Sequence, residues 1–344
     1  MVFETFATAK VQQKNDIRKK KGKFICTYQK KAVLLQRIMN VFGDKWSFTS
    51  FGESHGAAVG GVLDGVPAGL HIDLEMMRRE LDRRKGVTGY GLPISGVSPR
   101  AVREPDEVEW LSGVMEGVTL GTPIAFIIRN KDARPEDYEW LKHTYRVGHA
   151  DKVYEQKYGI RDWRGGGRAS ARETASRVVA GCIAKQELAQ KGIAIQAQLV
   201  QVGAETDPEK FAEVIAAYQK EGDSIGGIVE CRITGLPVGV GEPIFDKLQA
   251  HLAYAVMSIN ACKGFEYGMG FAGVDKPGSA INAISGGISG GISDGTEVVF
   301  RCVFKPTAST PKAGVKGRHD ACVAVRAVPV VEAMAAMAVR DLVN

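Results

Sequence analysis

Arg164-Gly-Gly-Gly-Arg-Ala-Ser-Ala-Arg-Glu-Thr174 runs from three consecutive glycines straight into a segment that reads as helix. Glycine loses more conformational freedom on ordering than any other residue, so three in a row point to a backbone requirement. Their amides can approach an anionic ligand closely, and the free N–H groups and dipole of a helix start add to that attraction. Arg168 and Arg172 stand four apart, which on a helix places both on one face. Arg161 and Arg164 lie just upstream. Such a concentration of guanidinium groups suits a ligand carrying phosphate or several carboxylates, which arginine grips bidentately. A glycine-rich surface turn followed by a solvated helix face fits the same residues, because isolated glycine-rich loops are weak signals.

The helix itself is expected over Ser170–Lys191, with Ala175, Val178, Val179, Cys182 and Ile183 on its apolar side and Gly192 at its close. Upstream, Ser47–Phe51 is strand-like and leads into the turn Gly52-Glu-Ser-His-Gly56. Asp73 can cap a helix to Arg84 in which Leu74, Met77 and Leu81 share a face, and residues 86–104 have loop composition. Downstream, Glu209–Lys220 reads as a helix with Phe211, Val214, Ile215 and Tyr218 inward. Pro243–Met257 and Pro329–Val343 look helical. Val229, Cys231 and Ile233 alternate with polar residues as in a half-exposed strand, and Val298–Phe304 is a further strand. Strands and helices mix without a regular βαβα beat, so the fold class is α+β rather than a doubly wound sheet. No linker interrupts the chain after residue 40, which favours one domain over 39–344.

Forty-one glycines in 344 residues are roughly 12% against an average of about 7%, but they follow no period, so tight turns rather than low complexity explain them. Six cysteines are scattered without a C-x-x-C pair, which reads as reduced thiols of a cytoplasmic protein. No apolar run approaches the ~18 residues needed to span a bilayer, so no membrane partner is expected. The net charge of +6 is local: residues 1–38 carry ten basic and two acidic side chains, leaving −2 for the rest. That disfavours a nucleic-acid surface on the body. The basic leader, with Arg18-Lys-Lys-Lys-Gly-Lys23, reads as a disordered or untranslated extension or as a nucleic-acid or membrane-surface patch. It lacks serine, which argues against a transit peptide, and Met39 is an alternative start.

Three of six histidines sit in polar settings with glycine one or two residues away: His55, His149 and His319. Histidine is the natural proton carrier near neutrality, although lone loop histidines are more often surface residues. No pair has the i, i+4 spacing of a helical metal site, and no metal is expected. In Gly317-Arg-His-Asp320 a carboxylate beside two potential cations can stay ionised and act as a base, or form a local salt bridge. Lys305-Pro-Thr-Ala-Ser309 ends a strand with a cation and two hydroxyls, a cradle for phosphate or ring oxygens.

Six motifs occur in order: Phe51-Gly-Glu-Ser-His-Gly56, Arg146-Val-Gly-His-Ala-Asp151, Gly165-Gly-Gly-Arg-Ala-Ser-Ala-Arg-Glu-Thr174, Gly222-Asp-Ser-Ile-Gly-Gly227, Ser258-Ile-Asn-Ala261, and Arg318-His-Asp-Ala-Cys322 with Arg326-Ala-Val-Pro329. Together they resemble the chorismate synthases, from about Met39 to the C-terminus. The resemblance implies a β-α-β sandwich with a helical layer between antiparallel sheets, and a homotetramer. It implies a carbon–oxygen lyase that converts 5-enolpyruvylshikimate 3-phosphate to chorismate and phosphate by 1,4-anti elimination, the last shikimate-pathway step. Reduced FMN is required in such enzymes, with NADPH as a reductant or a separate flavin reductase supplying it. A non-catalytic flavin-binding protein on the same fold is the alternative.

By resemblance, His149 protonates or stabilises the reduced flavin, His55 assists phosphate departure, and Asp320 helps remove the C6 proton. Arg168, Ala169, Ser170, Asn260, Ala261, Gly290, Lys305, Pro306, Thr307, Ala308, Ser309 and Arg318 would meet FMN. Arg83, Arg84 and Arg172 would meet the substrate or a nicotinamide phosphate. The chain departs from the family at Arg83-Arg84-Lys85-Gly86, where a further arginine normally follows shortly; Arg100 or Arg103 is the candidate substitute. Ala321 stands where the family has proline, and the stretch from Lys305 to Arg318 is short.

Overall fold

Strand β2 (Ser47–Gly52) pairs antiparallel with β1 (Val41–Phe42) and with β3 (Ala58–Asp64). Strands β5 (Val108–Ser112) and β8 (Ile124–Arg129) complete an antiparallel sheet of order β1-β2-β3-β8-β5. The structure, a computed structural model, describes residues 40–86, 103–281, 284–315 and 319–343. The basic leader and most of the expected 86–104 loop lie outside them. A second antiparallel sheet has the order β11-β14-β10-β9, from β9 (Ala194–Val202), β10 (Gly227–Thr234), β11 (Cys262–Tyr267) and β14 (Val298–Phe304). A three-stranded ribbon of β4 (Ala68–His71), β6 (Val114–Met115) and β7 (Val118–Leu120), and the hairpin β12 (Ile288–Ser289) with β13 (Ile292–Ser293), lie outside these sheets.

Helices separate the two sheets. Helix α3 (Thr174–Gln190) packs on β2, β3 and β8, while α6 (Ala324–Leu342) packs on β9 and β10 and along α3. Both are buried nearly all round, as a layer sandwiched between sheets requires. Their crossing is close: a Cβ on Gly181 would stand 2.3 Å from Ala333 Cα. Helix α1 (Leu74–Lys85) covers the same layer, with Met77 and Leu81 buried and the side chain of Asp73 accepting from Met76 N. Helix α2 (Asp151–Tyr158), α4 (Phe211–Lys220) and α5 (Leu248–Met257) complete the larger helices.

Charged groups tie the layers together. Glu332 on α6 is buried, accepts from Arg83 of α1 (2.8 Å), Lys185 of α3 (2.6 Å) and the β9 amide of Ala197 (2.8 Å). Burial pushes the Glu332 pKa up, but these cations outweigh it and hold the carboxyl below its ordinary value. Asp341 accepts from the amides of Asp44, Lys45 and Trp46, pinning the end of α6 to the turn before β2.

The α+β class and both central helices follow the expectations, with four corrections. Leu74 is exposed, because the buried stripe of α1 passes through Met77 and Leu81 one turn on. Residues 243–247 are not helical and α5 begins at Leu248. Helix α6 starts five residues before Pro329, which is carried inside it; burial on both sides sustains the helix despite the missing N–H. Most consequentially, α3 begins at Thr174 rather than Ser170. Two short 3₁₀ turns, Gly167–Ala169 and Ala171–Glu173, precede it, and Ser170 between them is extended. Arg168 and Arg172 therefore share no helical face.

Candidate active site

A cleft of about 410 Å³ opens where six segments converge. They are the last turn of α1, the stretch from Tyr138 to Tyr154, the glycine run into Arg172, Asn260–Ala261 before β11, residues 305–309 after β14, and the start of α6 from His319 to Arg326.

The glycine run does not serve as an amide cradle alone. Gly165 and Gly166 have φ of +63° and +90°, in the left-handed region. A Cβ on Gly165 would lie 2.1 Å from His55 Nδ1, and one on Gly166 2.7 Å from His149 Cε1 and 2.8 Å from Arg146 Nη2. The missing side chains are what let two histidines approach the backbone. His149 lines the cleft, and its Nδ1 lies 2.8 Å from Asp151 Oδ1. A proton on Nδ1 shared with that carboxylate leaves Nε2 as the exchanging position. Asp151 also takes two bonds from the Arg146 guanidinium, at 2.9 Å each. Burial raises its pKa, but hydrogen bonds from Arg146 and His149 outweigh that and keep the carboxyl far below its ordinary value. His55 is buried behind Gly165, 3.2 Å from Ser54 Oγ and edge-on to the Tyr138 ring, which faces the cleft.

On the opposite wall, Asp320 accepts from Arg326 Nη1 (2.7 Å), and Arg326 Nε donates to the carbonyl of Arg84 (2.9 Å). Arg84 is 1% exposed and its Nη2 donates to Asp106 (2.8 Å), while its Nε and Nη1 have no partner among the described residues. Burial lowers the Arg84 pKa to about 10, with Asp106 opposing. It stays cationic. Arg172 donates to Asp106 and, at 2.8 Å, to Asn130 Oδ1. Asn260 Nδ2 donates to the carbonyl of Ala169 (3.1 Å), leaving its buried Oδ1 without a partner among the described residues. Ala261 takes a left-handed φ of +67° and its carbonyl accepts from Lys305 N. Burial, then Lys263, lowers the Lys305 pKa. His319 Nε2 is a further buried atom without a partner among the described residues, and burial lowers the His319 pKa, so the ring is neutral at physiological pH.

Residues 46–343 match the family model for chorismate synthase. The chain belongs to the chorismate synthase family. Chorismate synthases from Phocaeicola vulgatus and Porphyromonas gingivalis are each 46% identical to it, over 88% of this chain and 97% and 95% of theirs. The relative from Flavobacterium psychrophilum is 45% identical, over 88% of this chain and 96% of its own. A chorismate synthase crystal structure superposes with a TM-score of 0.68 at 30% identity, covering 88% of this chain and 92% of that one. The β-α-β sandwich expected of the family is therefore the fold of this chain.

Against that family, His149, Asp320, Arg84, Arg172, Ala169, Ser170, Asn260, Ala261, Lys305, Thr307, Ala308 and Ser309 meet at the cleft. Others stand apart from its wall. Arg168 turns to the first sheet, donating to Gly52 O (3.0 Å) and Ser50 Oγ (2.7 Å), because extended Ser170 separates it from Arg172. Arg83 points to the far side of α1 and pairs with Glu80 and Glu332. Gly290 sits in the β12–β13 turn, and Pro306 is not on the cleft wall. Arg103, a candidate substitute by resemblance, pairs with Asp132 and does not line the cleft. Arg100 and Arg318 lie outside the described residues. Sequence reasoning singles out His319 among its candidate histidines but misses Tyr138, Arg146, Tyr154 and Arg326 as cleft residues, and Asp106 behind them. Arg146, His319 and Arg326 lie inside the quoted motifs; nothing local marks the tyrosines or Asp106.

Proposed function

We infer that this cleft carries out the reaction of its family, elimination of phosphate from 5-enolpyruvylshikimate 3-phosphate to give chorismate. The observation that supports it most is the convergence on one cleft of a carboxylate-oriented histidine, a second carboxylate and buried arginine charge. Arg84 and Arg172 present guanidinium groups that bind a trianionic substrate, and its leaving phosphate develops charge where Arg146 and Lys305 can stabilise it. Asp320, held by Arg326, is the base for the C6 proton, directly or by relay. His149, with Nδ1 fixed by Asp151, moves a proton at Nε2; His55 assists phosphate departure from behind Gly165.

The residues fit a bound FMN. Unpaired Asn260 Oδ1 and His319 Nε2 are acceptors for flavin N–H groups, and Thr307, Ser309 and Lys305 offer donors to its phosphate and ring oxygens. Reduced flavin supplies electron density that eases departure of an allylic C–O bond without net redox change. Asn260 orients it through its tie to Ala169, and Ser170 lies beside that contact. Residues 39–344 act as one catalytic domain, the enzyme is a cytoplasmic homotetramer, and a separate reductase rather than an intrinsic NADPH site supplies reduced FMN. Among the described residues no helix is long and apolar enough to cross a membrane.

Purified protein given substrate and chemically reduced FMN under anaerobic conditions should release phosphate, and NADPH as sole reductant should not replace the reduced flavin. Folded, flavin-loaded protein that releases none would overturn the reading. Turnover on NADPH alone would overturn the external reductase only.

A further inference from the structure

We propose that Asp106 is a positioning residue: one buried carboxylate that holds Arg84 and Arg172, from two separate elements, at a fixed spacing in the cleft wall. The inference rests on the reading of this cleft as the site of 5-enolpyruvylshikimate 3-phosphate elimination. Each carboxylate oxygen faces a different arginine. Oδ2 accepts from Arg84 Nη2 at 2.8 Å and Oδ1 from Arg172 Nη1. Asp106 is 3% exposed, Arg84 1% and Arg172 6%, so the three charges are out of water together.

The backbone at Asp106 has φ +52°. Aspartate and asparagine tolerate this left-handed region better than other side chains, and such a conformation persists only where the surroundings over-determine it. Here the two guanidinium groups do so. Arg172 has other ties, to Asn130 Oδ1 (2.8 Å) and the carbonyl of Arg129 (3.3 Å), with Glu104 Oε2 4.0 Å away. Arg84 has none among the described side chains: Asp106 is its one ion pair, and its Nε and Nη1 are unpaired. Arg326 and Arg172 both repel it. Without the carboxylate, Arg84 would be a buried cation beside two others and would turn away from them.

Asp106 thus cancels one of two adjacent charges, so both arginines can face the same anion in one geometry. Its own burial favours protonation, but the two arginines outweigh it and keep it ionised. Such an arrangement acts on binding in ground state and transition state alike, so its loss raises KM more than it lowers kcat.

The test uses the full chain with reduced FMN at saturation, without oxygen, titrating 5-enolpyruvylshikimate 3-phosphate against wild type, Asp106→Asn and Asp106→Glu. Asparagine keeps the shape and tolerates the positive φ but removes the charge. Glutamate keeps the charge and moves the carboxylate outward by one C–C bond, about 1.5 Å. Both variants should raise KM at least about tenfold with kcat within about threefold, and Asp106→Glu should fold and melt a few degrees below wild type, the cost of glutamate at this left-handed φ. A wild-type KM in Asp106→Glu would overturn the proposal, since the carboxylate would then serve the fold alone. So would a lowered kcat at unchanged KM, or failure of both variants to fold. Where only Asp106→Asn fails to fold, Asp106→Glu decides. Inactive wild type would instead refute the reading of the cleft, which separates the two failures.

Discussion

Gly166→Ala isolates the role of the glycine run. The new Cβ would stand 2.7 Å from His149 Cε1 and 2.8 Å from Arg146 Nη2, where ordinary contact begins near 3.4 Å. The imidazole must retreat by about 0.7 Å, because the new Cβ and the ring carbon cannot overlap. That motion breaks the 2.8 Å register of His149 Nδ1 on Asp151. A misplacement approaching 1 Å at reacting groups can lower turnover by about 10²-fold, so a loss of roughly 10- to 100-fold is expected. The left-handed φ adds about 1–2 kcal/mol of destabilisation, a few degrees in melting temperature. Gly159→Ala is the control: it also has a positive φ (+77°), at the end of α2, but its Cβ would meet nothing within 4 Å. It should lose similar stability and keep turnover. The assay is anaerobic phosphate release beside thermal melts of both variants. Wild-type turnover in Gly166→Ala, or equal activity losses in the two, would refute the idea that these glycines admit the histidines.

His149→Ala should lower kcat about 10²-fold or more, the usual scale of a general acid–base group, with substrate binding measured separately to confirm that the cleft remains intact. Glu332→Gln should destabilise the fold by about 3 kcal/mol at pH 7, at the low end for breaking a buried pair because Arg83 is 38% exposed. Its folded pKa is depressed, so the stability it contributes is complete above the unfolded value of 4.5 and lost as pH falls below it. Urea melts of wild type and variant should therefore converge on acidification; a gap that widens would contradict the sign. A chain beginning at Met39 should retain wild-type turnover, and loss of activity would show that the basic leader belongs to the catalytic unit.

The parts of this molecule legible in sequence are those with a local cause. Strand β14 spans Val298–Phe304 as read from the sequence, and α1 carries its own cap and its own αL glycine. What escaped has a nonlocal cause. Pro329 argues for a helix start on local grounds, but burial between two sheets carries α6 through it. Arg168 and Arg172 look like one face of a helix, and only the extended Ser170 sends them to different partners. The glycine run reads as an anion loop because sequence cannot show that His55 and His149, over a hundred residues and some seventeen residues upstream, pack against it. Asp106 shows the limit most clearly. Its importance lies in bridging arginines from two distant segments, and no spacing records that.

The most direct test of the account is product stoichiometry in an anaerobic reaction of the full chain, with reduced FMN and 5-enolpyruvylshikimate 3-phosphate, following chorismate, phosphate and flavin redox state together. The account requires one phosphate for each chorismate, many turnovers per flavin, and flavin that ends the reaction as reduced as it began. Phosphate without chorismate, or flavin oxidised in proportion to product, would contradict it.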